Sequence, residues 1–188
     1  QGISTGMDCL DDHFRLGKGR LVVFGGIPQH GKSTFVNNLM LSQSMASGIK
    51  WQIYGPESYP AEDFFIDLVH SYCGANVLPG FTDQVSKDKY EAALDFVQKH
   101  FIYVYPKDDS PTPEYIMQRF EENIISNGVS GCVIDPFNQL DNDMKRTGGR
   151  EDLYISNFAG TYKKFGQVLN VFTWVVVHPN SGISPLKG

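Results

Sequence analysis

The run Gly26-Ile27-Pro28-Gln29-His30-Gly31-Lys32-Ser33 places two glycines, a lysine and a hydroxyl at the spacing G-x-x-x-x-G-K-S, which suits the phosphates of a nucleoside triphosphate. Gly25, Gly26 and Gly31 let the backbone turn tightly and aim its N–H groups inward, so a nest of donors and a helix N-terminus face the anion. Lys32 is placed to reach the β- and γ-phosphates, Ser33 to set its hydroxyl on Mg²⁺, and Thr34 to touch the α-phosphate. A Gly-rich turn that merely caps a helix leaves Lys-Ser at this spacing unexplained. The expected nucleotide-binding set is Gly26, Ile27, Pro28, Gln29, His30, Gly31, Lys32, Ser33 and Thr34, with ATP or another NTP or dNTP as ligand and Mg²⁺ as counter-ion.

Three further groups could complete the chemistry, and each has a plainer reading. Asp135 ends the apolar run Gly131-Cys132-Val133-Ile134, where a carboxylate can hold Mg²⁺ through water or Ser33; it can equally cap or turn the chain before Pro136. Glu57 lies just past an apolar segment, where a carboxylate can take a proton from attacking water or orient it. A solvated loop glutamate fits the same position, since Glu62, Asp63, Asp108 and Glu114 also lie in or near loops. His178 ends the most apolar run, Phe172 to Val177, and could donate to the γ-phosphate or relay its loss to the next loop; a satisfied histidine at a strand end is the alternative.

Elements that would position these groups follow from periodicity. Apolar runs bounded by turn signals alternate with helical patterns, which implies an α/β fold with a mostly parallel sheet flanked by helices. Strands are expected at Arg20–Gly25, Lys50–Tyr54, Ile102–Tyr105, Gly131–Asp135 and Val171–Val177. Helices are expected over Lys32–Ser47, with Phe35, Leu39 and Met40 as its apolar stripe, from Pro60 through Val69, over Ser86–Phe101 on Tyr90, Ala93, Leu94 and Val97, and over Pro113–Asn127 and Asp152–Phe165. Residues 74–85, Lys107–Pro113 and Asn138–Gly149 read as loops. Open parallel sheets bind ligands at the carboxyl ends of their strands, and the phosphate loop, Glu57, Asp135 and His178 all fall at such ends.

Composition bounds the function. A chain of 188 residues, 41% apolar and 20% charged, can bury one sizeable core. Its formal charge of −5 excludes a broadly basic surface, so any nucleic-acid contact must come from local lysines and arginines in loops. Cys9, Cys73 and Cys132 are odd in number and lack metal-ligand spacing, which suits buried apolar roles in a reducing compartment. No run reaches the length of a membrane span and no basic-then-apolar leader opens the chain, so a cytosolic or equivalent location with no membrane partner is expected.

Taken together, these segments resemble the ATPase domain of hexameric RecA-like replicative helicases, DnaB-like and particularly the Twinkle and phage primase-helicase branch. GISTGMDCLDD is similar to the lead-in before the first strand, GRLVVFGGIPQHGKSTF to the nucleotide-binding motif, YGPESYP to the segment carrying the catalytic glutamate, VIDPFNQLD to the Mg²⁺-coordinating motif, and WVVVHPN to the γ-phosphate sensor. The resemblance covers nearly the whole chain and implies Glu57 as base, Asp135 as metal residue and His178 as sensor. It also implies a hexameric ring with ATP between subunits, 5'-3' movement on single-stranded DNA and a primase as fused or separate partner. Two channel loops, Asn138–Arg150 and Asn180–Gly188, would then offer Lys145, Arg146, Arg150 and Lys187 to DNA phosphates. Each of those charges could equally serve solubility.

The pattern departs from the family at Gln29 and His30, which replace small residues. It also lacks a counterpart of the arginine finger and final strands, so residues 1–188 are expected to be one RecA-like ATPase domain cut from a longer protein. Two other classes stay open at this level: a recombinase or regulatory ATPase that uses nucleotide as an assembly switch, and a small-molecule kinase with residues 74–85 as its lid.

Overall fold

Alternation along the strands sorts the core into two layers, one on each face of a sheet. The computed structural model describes residues 2–26, 30–58, 60–78, 85–105, 111–140 and 150–178. Strands β1 (Leu21–Gly25), β2 (Trp51–Tyr54), β3 (Phe101–Tyr103), β4 (Gly131–Ile134) and β5 (Phe172–Val177) lie in the order β1-β5-β4-β2-β3, every pair parallel. The mostly parallel α/β expectation therefore holds.

Trp51, Ile53, Val133, Phe172, Trp174 and Val176 face one core, closed by α2 (Lys32–Ser47), α3 (Ala61–Cys73) and α4 (Lys87–His100). Tyr54, Cys132, Ile134 and Val175 face the other, under α5 (Pro113–Asn127) and α6 (Glu151–Leu169). With helices on both faces, β2 and β4 are buried throughout, which is why β4 reads as an apolar run and β2 as one interrupted only by Gln52. Glycine at position 131 is steric: a Cβ there would sit 2.1 Å from the Trp51 ring, which itself packs on Trp174 at 4.2 Å between centroids.

Polar residues also sit inside the sheet, Gln52 on β2 and Thr173 on β5. Gln52 is fully buried, donates to the Phe120 carbonyl at 2.9 Å and to Cys132 Sγ at 3.2 Å, and accepts from Asn123 Nδ2 at 2.9 Å. It thereby ties α5 to the sheet without leaving its amide unmatched.

The lead-in is a clasp. Asp11, in the short helix α1 (Asp8–Asp11), accepts from Ser4 Oγ at 2.5 Å and from Thr5 N and Oγ1 at 2.6 and 2.7 Å, which holds its carboxyl below the usual range. Gln43 of α2 donates to the Ser4 carbonyl at 2.7 Å, so the clasp is anchored to the helix that follows the phosphate loop.

Several expected details are corrected. Phe35 is 41% exposed, set edge-on to Phe24 beside the phosphate-loop depression, and Val36 takes its place on the buried stripe with Leu39 and Met40. Tyr90 is also exposed, leaving Ala93 and Val97 buried and Leu94 half-buried against the core as the inward positions of α4. Cys9 is exposed because α1 is a single turn on the surface, whereas Cys73 and Cys132 are buried as expected. Helix α6 runs to Leu169, past the expected Phe165, since Tyr162 and Gly166 continue its buried stripe until Asn170 turns left-handed at φ 53°.

Candidate nucleotide site

The phosphate loop begins where β1 stops at Gly25. Gly31 takes φ 76°, a left-handed conformation that favours glycine, and turns the chain directly into α2 at Lys32. Lys32 Nζ donates to the Gly26 carbonyl at 2.8 Å, drawing the ammonium across the loop. His30, Gly31 and Lys32 line an open depression of about 470 Å³ with Val23, Phe24, Gly25 and Phe35. Thr34 is exposed in the first turn of α2. Ile27, Pro28 and Gln29 lie outside the described residues.

Next to the loop, β4 delivers Asp135. The carboxylate is 3% exposed and a side-chain hydrogen bond joins it to Ser33. Burial raises its pKa above the ordinary carboxylate value and the nearby Glu57 charge adds to this, while the Ser33 bond, His178 and Lys32 pull the other way. Asp135 Oδ1 is buried with no hydrogen-bond partner. A hydroxyl and a carboxylate side by side, one carboxylate oxygen still open, form a hard-oxygen pair that fits Mg²⁺. Among the described residues no group of three or more His, Cys, Asp and Glu could hold a metal by itself, so such an ion would complete its shell with water and phosphate oxygens.

Glu57 is carried by the 3₁₀ turn Pro56–Ser58 that leaves β2, and its side chain is 47% exposed. Strand order places β2 beside β4 and β4 beside β5, so this turn comes next to the end of β5. There His178 Nε2 lies 3.3 Å from Glu57 Oε2. The His178 backbone N–H donates to Asn138 Oδ1 at 3.3 Å, from the turn after β4, and its Nδ1 is buried without a partner. Lys32, Ser33, Asp135, Glu57 and His178 thus converge at one end of the sheet.

Polar groups that the sequence did not flag brace this rim. Tyr54 donates to the Gln139 carbonyl at 3.3 Å, and the Tyr103 hydroxyl donates to the Gly55 carbonyl. Burial pushes the Tyr103 phenol up to about 12, with the charges of Tyr105, Tyr54 and Asp135 adding to the rise, so it remains a donor at neutral pH. No signal in one sequence marks these residues, because each acts across strands far apart in the chain.

Of the basic residues expected to meet DNA, Arg150 is exposed and pairs with Asp152, Nη2 to Oδ2 at 2.5 Å and Nε to Oδ1 at 3.2 Å. Lys145, Arg146 and Lys187 lie outside the described residues, as do most of the two channel loops. None of the described helices is long and apolar enough to cross a membrane.

No protein-family model matches the chain. The chain is 26% identical over 184 residues to the Twinkle homolog protein, chloroplastic/mitochondrial, of Arabidopsis thaliana, a match covering 95% of this chain and 26% of that protein. Among solved structures it resembles an ATPase domain with a TM-score of 0.77, 16% identity, and coverage of 95% of this chain and 64% of that one. It also resembles a DnaB-like replicative helicase described with its interactions with primase, with a TM-score of 0.76, 17% identity, and coverage of 95% and 44%. The chain spans about a quarter of the length of its curated relative. Its fold is the one that these two solved structures share, a RecA-like five-stranded parallel sheet flanked by helices.

Proposed function

We propose that the chain is the motor domain of a replicative DNA helicase, coupling NTP hydrolysis to translocation on single-stranded DNA. The observation that carries this reading is the convergence of Ser33, Asp135, Glu57 and His178 beside the phosphate loop, with Ser33 bonded to Asp135 and His178 in reach of Glu57. The Twinkle homologue and the helicase ATPase domains support a motor over an assembly switch or a kinase.

In this reading the Gly26–Ser33 backbone and Lys32 cradle the phosphates and neutralise their charge. Mg²⁺, held by Ser33 and Asp135, would stabilise charge developing on the leaving phosphate oxygens. Glu57 is exposed enough to meet water and takes its proton during attack on the γ-phosphate. His178 stands between Glu57 and the chain leading to residues 179–188, so loss of the γ-phosphate changes its contacts and is passed to that segment. The expected assembly is a hexameric ring with DNA in its channel, moving 5'-3', with a primase as partner and Lys145, Arg146, Arg150 and Lys187 as DNA contacts.

The test is ATP hydrolysis by the full-length protein with and without single-stranded DNA, alongside Lys32→Ala. DNA-stimulated turnover that Lys32→Ala abolishes together with nucleotide binding supports the motor. Turnover indifferent to DNA contradicts it.

A further inference from the structure

We infer that Tyr103 is a positioning residue for hydrolysis, acting by aiming Glu57. The inference rests on the reading of Glu57 as the base. Tyr103 ends β3, the strand next to β2, and its ring packs on Phe64 of α3 at 5.7 Å between centroids, which fixes the direction of the phenol. The hydroxyl donates to the Gly55 carbonyl, the first residue after β2. That carbonyl already accepts from Ser58 N at 2.9 Å, the bond that closes the turn carrying Glu57.

The phenol is therefore not needed to satisfy a buried acceptor. Its effect is geometric: a second donor, delivered from a neighbouring strand, fixes the pivot of the Pro56–Ser58 turn and hence the path of the Glu57 side chain. Glu57 is otherwise exposed, on a short turn, with His178 as its partner. An exposed carboxylate on an unbraced turn would sample many directions, and small displacements of a catalytic group are costly in rate.

Tyr103→Phe removes only the hydroxyl and keeps the packing on Phe64. In the full-length protein it should lower kcat for ATP hydrolysis by about tenfold, with KM changed by less than about twofold and little change in melting temperature. Placed on a Glu57→Gln background, it should lower the residual turnover no further, since a base that is absent cannot be misaimed. Wild-type turnover in Tyr103→Phe, a loss of nucleotide binding in step with kcat, or an equal further loss on the Glu57→Gln background would each overturn the inference. A Glu57→Gln protein that itself hydrolyses ATP normally would instead remove the base assignment, and this inference with it.

Discussion

Gln52 inside β2 and Asp135 at the end of β4 are both buried polar residues on neighbouring strands, yet their surroundings differ. Gln52 spends its amide on the Phe120 carbonyl, Cys132 and Asn123, whereas Asp135 keeps Oδ1 buried with no partner. The sheet interior satisfies this amide and so converts it into structure. The carboxyl rim leaves a charged oxygen open beside a hydroxyl, an arrangement that costs stability in the empty protein and suits a cation. Glu57, one turn over on the same rim, is exposed instead, as a group that must meet water requires. On the proposed function, burial separates three tasks that a list of polar residues would merge: Gln52 for tethering, Asp135 for metal and Glu57 for proton transfer.

The largest expected effect tests the exposed side of this contrast. Glu57→Gln should lower ATP turnover by about 100-fold or more while nucleotide binding and the melting temperature stay near wild type, because the side chain contributes chemistry and little packing. Steady-state hydrolysis beside equilibrium nucleotide binding reads both. In the interior the pattern should invert: Gln52→Leu leaves the Asn123 amide without its acceptor and removes the second donor to the Phe120 carbonyl, and should cost about 2 kcal/mol in urea unfolding, with kcat unchanged at temperatures where the variant is folded. A drop in kcat there would break the division between interior and rim.

Asp135→Asn gives the smallest shift in stability and the sharpest sign. Without metal or nucleotide, removing a buried and incompletely bonded charge should raise the melting temperature, corresponding to less than about 1 kcal/mol of added stability. With Mg²⁺ and nucleotide present the order should reverse, since the wild type gains binding energy that the variant cannot recover. Melting curves in the two conditions check it.

Much of this was legible in the chain. The phosphate loop announces itself because its chemistry is local: glycines, Lys32 and Ser33 act within a few residues of one another. Strand order could not be read, and the assembled site depends on it, since Glu57 meets His178 only because β4 brings β2 and β5 close. Tyr103 and Asn138 were invisible for the same reason, each bonding to a turn carried by another strand. Gln52 broke no visible pattern, as a polar residue in an apolar run says nothing of the amide that faces it from α5. Phe35 misled because helical spacing to Leu39 and Met40 fits Phe35 and Val36 alike, and the sequence does not say which of the two turns into the core.

The most direct measurement of the central claim is nucleotide binding and hydrolysis titrated against Mg²⁺ in full-length wild type, Glu57→Gln and Asp135→Asn. Glu57→Gln is expected to bind nucleotide at the wild-type Mg²⁺ concentration and fail to hydrolyse it, while Asp135→Asn needs about tenfold or more Mg²⁺ to reach the same state. If both variants show the wild-type Mg²⁺ dependence, or if Glu57→Gln hydrolyses normally, the roles assigned to the two carboxylates are wrong.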